Sequence, residues 1–249
     1  MSAAAWRRWP ARVAIVLVGS AVSSYGYLMT ERAAVGNGPL FALQDALHLR
    51  TGVSLGVAAA VAGLAFAVLA RGLGVRLGVG PIAIPLLTGM SIVVLEPLAP
   101  ELHGAALRWG SFTAGTVVMM LGGVVMFRGG FGGSSLEAAM FGIARLARTA
   151  PARARIGLEV AMALTGFALG GRVGLGTAAM AVSVGPLFAF WHRVLPEFAG
   201  HGAAAPAGSI RRDAARDTHP ASSATAADRA DQSVRRRAFA ISRAASRSD

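Results

Sequence analysis

The chain has no cysteine and no lysine, and it is poor in aromatic and acidic residues. Without cysteine there is no disulfide, no thiolate nucleophile and no Cys-ligated metal. The five histidines show no metal-ligand spacing. No serine–histidine–acid set or paired carboxylate emerges from the order of residues, so nothing marks an enzyme and no cofactor is implied. G-x-G-x-x-A occurs at Gly78–Ala83 and Gly174–Ala179, but the strand, crossover and distal acid of a dinucleotide site are missing around it. All 24 basic residues are Arg, against 12 acids, for a net charge of +12. An all-Arg set either supplies planar forks for anions or reflects compositional bias.

What the chain has in quantity is apolar length: 54% of its 249 residues are hydrophobic and 14% are charged. Six apolar runs, Val13–Met29, Val53–Ala70, Leu77–Leu95, Trp109–Phe127, Ile156–Gly171 and Val173–Trp191, are separated by Arg, Gly, Pro and acids. A membrane span takes about 17–25 residues. The fifth run is marginal and carries Glu159, so six spans are expected, with five as the fallback. Arg7, Arg8, Arg12, Arg71, Arg76, Arg128, Arg145, Arg148, Arg153 and Arg155 fall on one side of such a bundle, and Arg32, Arg50, Arg108 and Arg172 on the other. By the positive-inside rule both termini are cytoplasmic. Read instead as a secretory signal, the first run is long for that purpose.

"GVRLGVGPIAIPLLTG" at Gly74–Gly89 returns as "GGRVGLGTAAMAVSVG" at Gly170–Gly185, with six of sixteen positions identical. Upstream, Val35–Leu47 aligns with Gly129–Phe141 at an offset of 94, each placing a G-x-G turn (Gly36 and Gly38; Gly130 and Gly132) before a short helix. Pro39 suits a first helical position, and Ser134 with Glu137 has capping-box spacing. The expected fold is an all-α membrane protein of six spans, made of two inverted three-helix repeats. Its short helices, Pro39–Arg50 and Ser134–Arg148, either re-enter the bilayer or lie at its surface, with Gln44, Asp45 and His48 on one face of the first. The chain divides into a cytoplasmic N-terminus (1–11), a first repeat (12–106), a second repeat (107–198) and a basic tail (199–249) too poor in apolar residues to bury a core and expected to be disordered.

The order G-x-G-P, "ALQDALHLRTGVSLG" (Ala42–Gly56), R-x-G-x-G (Arg76–Gly80), "RIGLEV" (Arg155–Val160), "GGRVGLGT" (Gly170–Thr177) and "GP" (Gly185–Pro186) resembles the YczE-like integral membrane proteins, related to the YitT group, over residues 10–198. The resemblance implies a small multi-pass protein of the bacterial plasma membrane with no settled biochemical activity, for which transport is the usual guess. It also implies an aspartate just after each G-x-G-P turn; at the offset of 94 those positions hold Phe41 and Ser135, and the acids nearby are Asp45 and Glu137.

Ionisable groups within a bilayer are costly and mark candidate sites. Glu159 reads either as an i,i+4 partner of Arg155 or as a proton or cation carboxylate. Arg76 and Arg172 precede helix starts, where free N–H groups and a guanidinium make an anion site; each also suits a snorkelling anchor. The glycines of the two R-x-G-x-G turns are Gly78, Gly80, Gly174 and Gly176, while Gly19, Gly63, Gly115, Gly122, Gly166 and Gly185 suit close helix packing. The candidate substrate or ion site is thus Phe41, Asp45, Ser135, Glu137, Glu159, Arg76 and Arg172. The expected function is a small secondary transporter of a small molecule, and the alternative is an accessory or scaffold protein for a membrane partner. The lipid bilayer is the expected surrounding, and nothing points to nucleic acid.

Overall fold

The computed structural model describes residues 3–99 and 101–195, with side chains from Trp9 onward. The tail expected to be disordered, 199–249, lies outside the described residues. The described residues form eight α-helices and no strand: α1 (Ala3–Ala33), α2 (Pro39–Thr51), α3 (Leu55–Gly72), α4 (Gly80–Leu95), α5 (Ala105–Arg128), α6 (Ser135–Leu146), α7 (Pro151–Ala168) and α8 (Leu175–Val194). A 3₁₀ turn, Glu96–Leu98, extends α4. The expected capping box is present: Ser134 Oγ accepts from the Glu137 N–H and Glu137 Oε2 from the Ser134 N–H. Pro39 opens α2, where its missing N–H costs nothing.

Among the described residues, five helices are long and apolar enough to cross a membrane: α1 from Trp9, α3, α4 with its 3₁₀ extension, α5 and α8. The marginal run, now α7, is not among them. It starts at Pro151 rather than Ile156, which brings Arg153 and Arg155 into the helix along with Glu159.

The centre is the antiparallel pair α1 and α5, which meet along glycines. A side chain at Gly19 would overlap the backbone of Met126, at Gly26 that of Met119 and Gly115, and at Gly122 that of Ser23. Small residues let the backbones approach where lipid offers no hydrophobic drive for association. Around this pair α4 packs on α1 and α8 on α5, while α2 packs on α7 and α6 on α3. Each short helix is therefore held by a helix distant in sequence. The face carrying Gln44 and Asp45 turns inward, with both residues buried; it is not a water-facing stripe.

The internal correspondence has one register throughout, 96 residues, which corrects the offset of 94 at the first turn. Eight of the nine described residues with positive φ pair at that spacing: Ala34 (51°) with Gly130 (70°), Gly36 (109°) with Gly132 (94°), Gly52 (72°) with Arg148 (50°), and Gly74 (76°) with Gly170 (90°). Hydrogen bonds repeat likewise. Arg12 Nε donates to Gly129 O (3.0 Å) and its Nη2 to Gly130 O; Arg108 Nε donates to Ala33 O (2.7 Å) and its Nη2 to Ala34 O (3.4 Å). Each guanidinium closes the carbonyl end of the other half's long helix, where unpaired carbonyls and the negative end of the dipole favour a cation. The Gly80 N–H donates to Phe131 O (2.8 Å) as the Gly176 N–H donates to Val35 O (2.9 Å). In this register Phe41 corresponds to Glu137, and Ser135 to Pro39.

One packing relation lacks its counterpart. α3 lies on α4 through Gly56 against Gly89 and Gly63 against the ring of Pro85. α7 and α8 barely touch. The positions equivalent to Ala59 and Gly63 hold Arg155 and Glu159, which pair at 2.8 Å and leave no flat surface for α8. Gly185, the equivalent of Gly89, faces open space, so it does not serve the close packing expected of it.

Candidate functional site

Two features arise at the seam between the halves. The first is a cavity of about 540 Å³ between α7 and α8, floored by α5 and the start of α2. Five methionines (Met119, Met120, Met126, Met162 and Met180) and three phenylalanines (Phe41, Phe127 and Phe188) line it, and Glu137, Arg155 and Glu159 bring charge to its wall. Such a lining is adaptable, because unbranched thioether chains fit irregular apolar shapes and contact aromatic rings favourably. The volume falls in the usual range of small-molecule sites.

The second is a buried polar cluster where the α1–α2 turn meets the α7–α8 turn. The Asn37 N–H donates to Arg172 O (3.3 Å), which fixes Arg172 beside the end of α1. Its Nη1 donates to Glu31 Oε1 (3.0 Å), its backbone N–H to Asp45 Oδ2 (2.9 Å), and its Nε lies 3.9 Å from the same Asp45 oxygen. Asn37 Nδ2 donates to Glu31 Oε2. Glu31, Asn37 and Asp45 are 7%, 2% and 1% exposed, while the Arg172 side chain is about half exposed at 47%. Asp45 Oδ1, Asn37 Oδ1, Gln44 Oε1 and the Tyr27 hydroxyl are buried with no hydrogen-bond partner. Buried oxygens are rarely left so.

Phe41 stands between the two features. Its ring stacks on Tyr27 with centroids 4.5 Å apart, and it also lines the cavity. Tyr27 is one turn before Glu31 on α1, and Phe41 one turn before Asp45 on α2, so the aromatic pair and the acid pair are adjacent storeys of the same two helices.

The candidates from sequence divide between these places. Phe41, Glu137 and Glu159 line the cavity, with Glu159 also paired to Arg155 as its spacing suggested. Asp45 and Arg172 belong to the cluster. Arg172 is therefore not an open anion site, since its guanidinium already faces two carboxylates. Arg76 is exposed beside the start of α4, and Ser135 is buried outside the cavity wall. Among the turn glycines, Gly36, Gly174 and Gly176 interlock the α1–α2 turn with the start of α8, and Gly80 sits against Phe131 and Gly133. Gly130 meets the Arg12 guanidinium, while Gly78 and Gly132 have room around them. Gly38 lines the cavity. Glu31 and Asn37 escaped the sequence search: Glu31 reads as a loop charge until the turn folds over it, and it meets Arg172 across 141 residues.

The cluster has no twin. In the register of 96, Glu31, Asn37 and Asp45 correspond to Phe127, Gly133 and Phe141, so the two acids and the amide of the cluster have no polar counterparts in the second half. A family model described as "Family of unknown function (DUF6198)" matches residues 10–193. The chain belongs to this family. The match takes in α2 to α7 entire, α1 from Pro10 onward and all of α8 but its last residue, so the cavity and the cluster both lie within the family's region. No curated protein and no solved structure matches the chain.

Proposed function

We propose that the protein is a small secondary transporter of the bacterial plasma membrane, built as two inverted three-helix repeats with α7 as the sixth span. The cavity between α7 and α8 carries this reading: a volume of about 540 Å³ at the seam of two related halves is where such proteins place substrate. The antiparallel pairing of α1 with α5, which are equivalent elements, supports opposite insertion of the halves. The exposed apolar side chains of α7, Leu164 and Phe167 among them, support its contact with lipid. Arginine placement supports cytoplasmic termini, and the resemblance to the YczE-like proteins accords with this. The lining selects an apolar or amphiphilic small molecule; Glu137 and Glu159 each have one carboxylate oxygen engaged, by the Ser134 N–H and by Arg155 respectively, and a second oxygen to offer a cationic group.

The wide separation of α7 from α8 favours a second reading, an accessory protein whose groove receives a helix of a membrane partner. Because the chain has no cysteine, one experiment separates the two. Single cysteines at Gly185 and Phe41 are probed with a membrane-impermeant thiol reagent in right-side-out and inside-out vesicles. Transport predicts labelling from both sides, reduced when a saturating lipophilic amine fills the cavity. Labelling from one side alone, or none, sinks the transport assignment and leaves the groove to a partner.

A further inference from the structure

We infer that the Glu31–Asp45 cluster is a binding site for a hard monovalent cation, with ligand oxygens drawn from Asp45 Oδ1, Asn37 Oδ1 and the Tyr27 hydroxyl. Charge comes first. Two carboxylates face one guanidinium, so the cluster holds a formal surplus of one negative charge in a place where water has little access. Unpaired buried charge is expensive. A single positive ion removes the surplus, whereas a divalent ion would reverse it.

Ligand chemistry comes next. The buried atoms without partners here are all oxygens, the donors preferred by hard cations. Asn37 spends its amide N–H on Glu31, which turns its carbonyl into the free acceptor. Asp45 gives one oxygen to the Arg172 N–H and keeps the other unpartnered. The set lacks the histidine or thiolate that a transition metal needs. An anion is excluded by the two carboxylates already on Arg172. A proton on one carboxyl would satisfy a single acceptor and leave the others bare.

Cation binding does not presuppose transport; a coupling role for the ion does rest on the transport assignment. The site lies beside Phe41, whose ring stacks on Tyr27 and lines the cavity. An ion held there pulls on Tyr27 and the α1–α2 turn, and so reaches the cavity wall.

The test uses the full chain in lipid nanodiscs, with radioactive sodium binding measured by scintillation proximity in a choline background. Wild type is expected to bind saturably, with the thermal midpoint higher in sodium than in choline chloride of equal ionic strength. Asp45→Asn and Asn37→Ala should each raise the half-saturating sodium concentration by about tenfold or more. Glu101→Gln, an exposed acid outside both the cluster and the cavity, should leave it unchanged. Glu31→Gln serves if Asp45→Asn fails to fold, since Gln keeps an oxygen for Arg172 while removing the surplus charge. Absence of sodium binding that excess lithium, sodium or potassium displaces overturns the inference, as does equal binding by wild type and the Asn37 and Glu31 variants. A midpoint that follows pH but not the alkali ion also overturns it, in favour of a shared proton. These outcomes leave the cysteine-labelling result untouched, so the two proposals fail separately.

Discussion

Arg172 shows how much of a site one residue can decide. It spans the turn before α8 and holds both Glu31 and Asp45. Replacing it with Met strands two buried carboxylates; a fully buried partner would cost about 3–5 kcal/mol, and half exposure of the guanidinium brings the expectation to about 2–3 kcal/mol. Thermal unfolding in detergent reads this directly, and Arg76→Met, its exposed equivalent, should move the midpoint little. The two end-caps offer a paired measurement. Arg12→Ala and Arg108→Ala each remove charge-assisted bonds to two carbonyls, a loss of about 1.5–3 kcal/mol, and the two values should agree closely. Asp45 and Arg172 stood out in the sequence as charge in apolar surroundings. Glu31 and Asn37 did not, because their importance comes from a turn that brings residue 172 beside residue 31, and no local pattern encodes that meeting. Ala34 and Arg148 hide in the same way: each takes a left-handed conformation that its counterpart gives to Gly, so a search for glycine turns passes over them.

Among elements, the contrast between α3–α4 and α7–α8 is the most informative. Gly89→Leu must push α4 away from Gly56 and Ala60, and overpacking of this kind costs about 1–3 kcal/mol. Gly185→Leu, its equivalent, enters open space and should leave the stability within about 0.5 kcal/mol of wild type, in the range of substitutions that disturb no packed feature. It should also cut labelling of a cysteine at Phe41 by filling the cavity. Equal destabilisation by the two substitutions would mean that α7 and α8 close together in the membrane. The long apolar runs made the five helices that are long and apolar enough to cross a membrane legible from composition, and the capping box and Pro39 fixed the starts of α6 and α2. The uneven α7 was legible too, as a run interrupted by charge. What the sequence concealed was the consequence of Arg155 and Glu159, since an i,i+4 ion pair usually marks a solvated face; here it replaces the Ala and Gly that let α3 receive α4.

For the whole molecule, an internal correspondence was visible in the R-x-G-x-G turns, and its spacing of 96 residues emerged once backbone conformation joined residue identity. Gly, Ser and Ala are too common to fix a register by themselves, whereas a positive φ or a guanidinium on a helix end is rare enough to do so. If the halves insert oppositely, single cysteines at Gly104 and at Leu146, the one in the α4–α5 connection and the other at the end of α6, should react with an impermeant reagent from opposite sides of the membrane. Reaction from one side would rule out the inverted arrangement. The crossed guanidinium caps carry a further consequence, for the order of synthesis. The end of α1 waits for Arg108, and the start of α4 waits for the carbonyl of Phe131; a nascent chain that stops after α4 holds backbone groups in or near lipid with no partner to take them. Neither half is a finished object, and what each lacks the other makes. Expressed as two polypeptides divided near residue 102, they should accumulate together and be degraded apart, because one chain contains, folded into itself, the interface of a dimer.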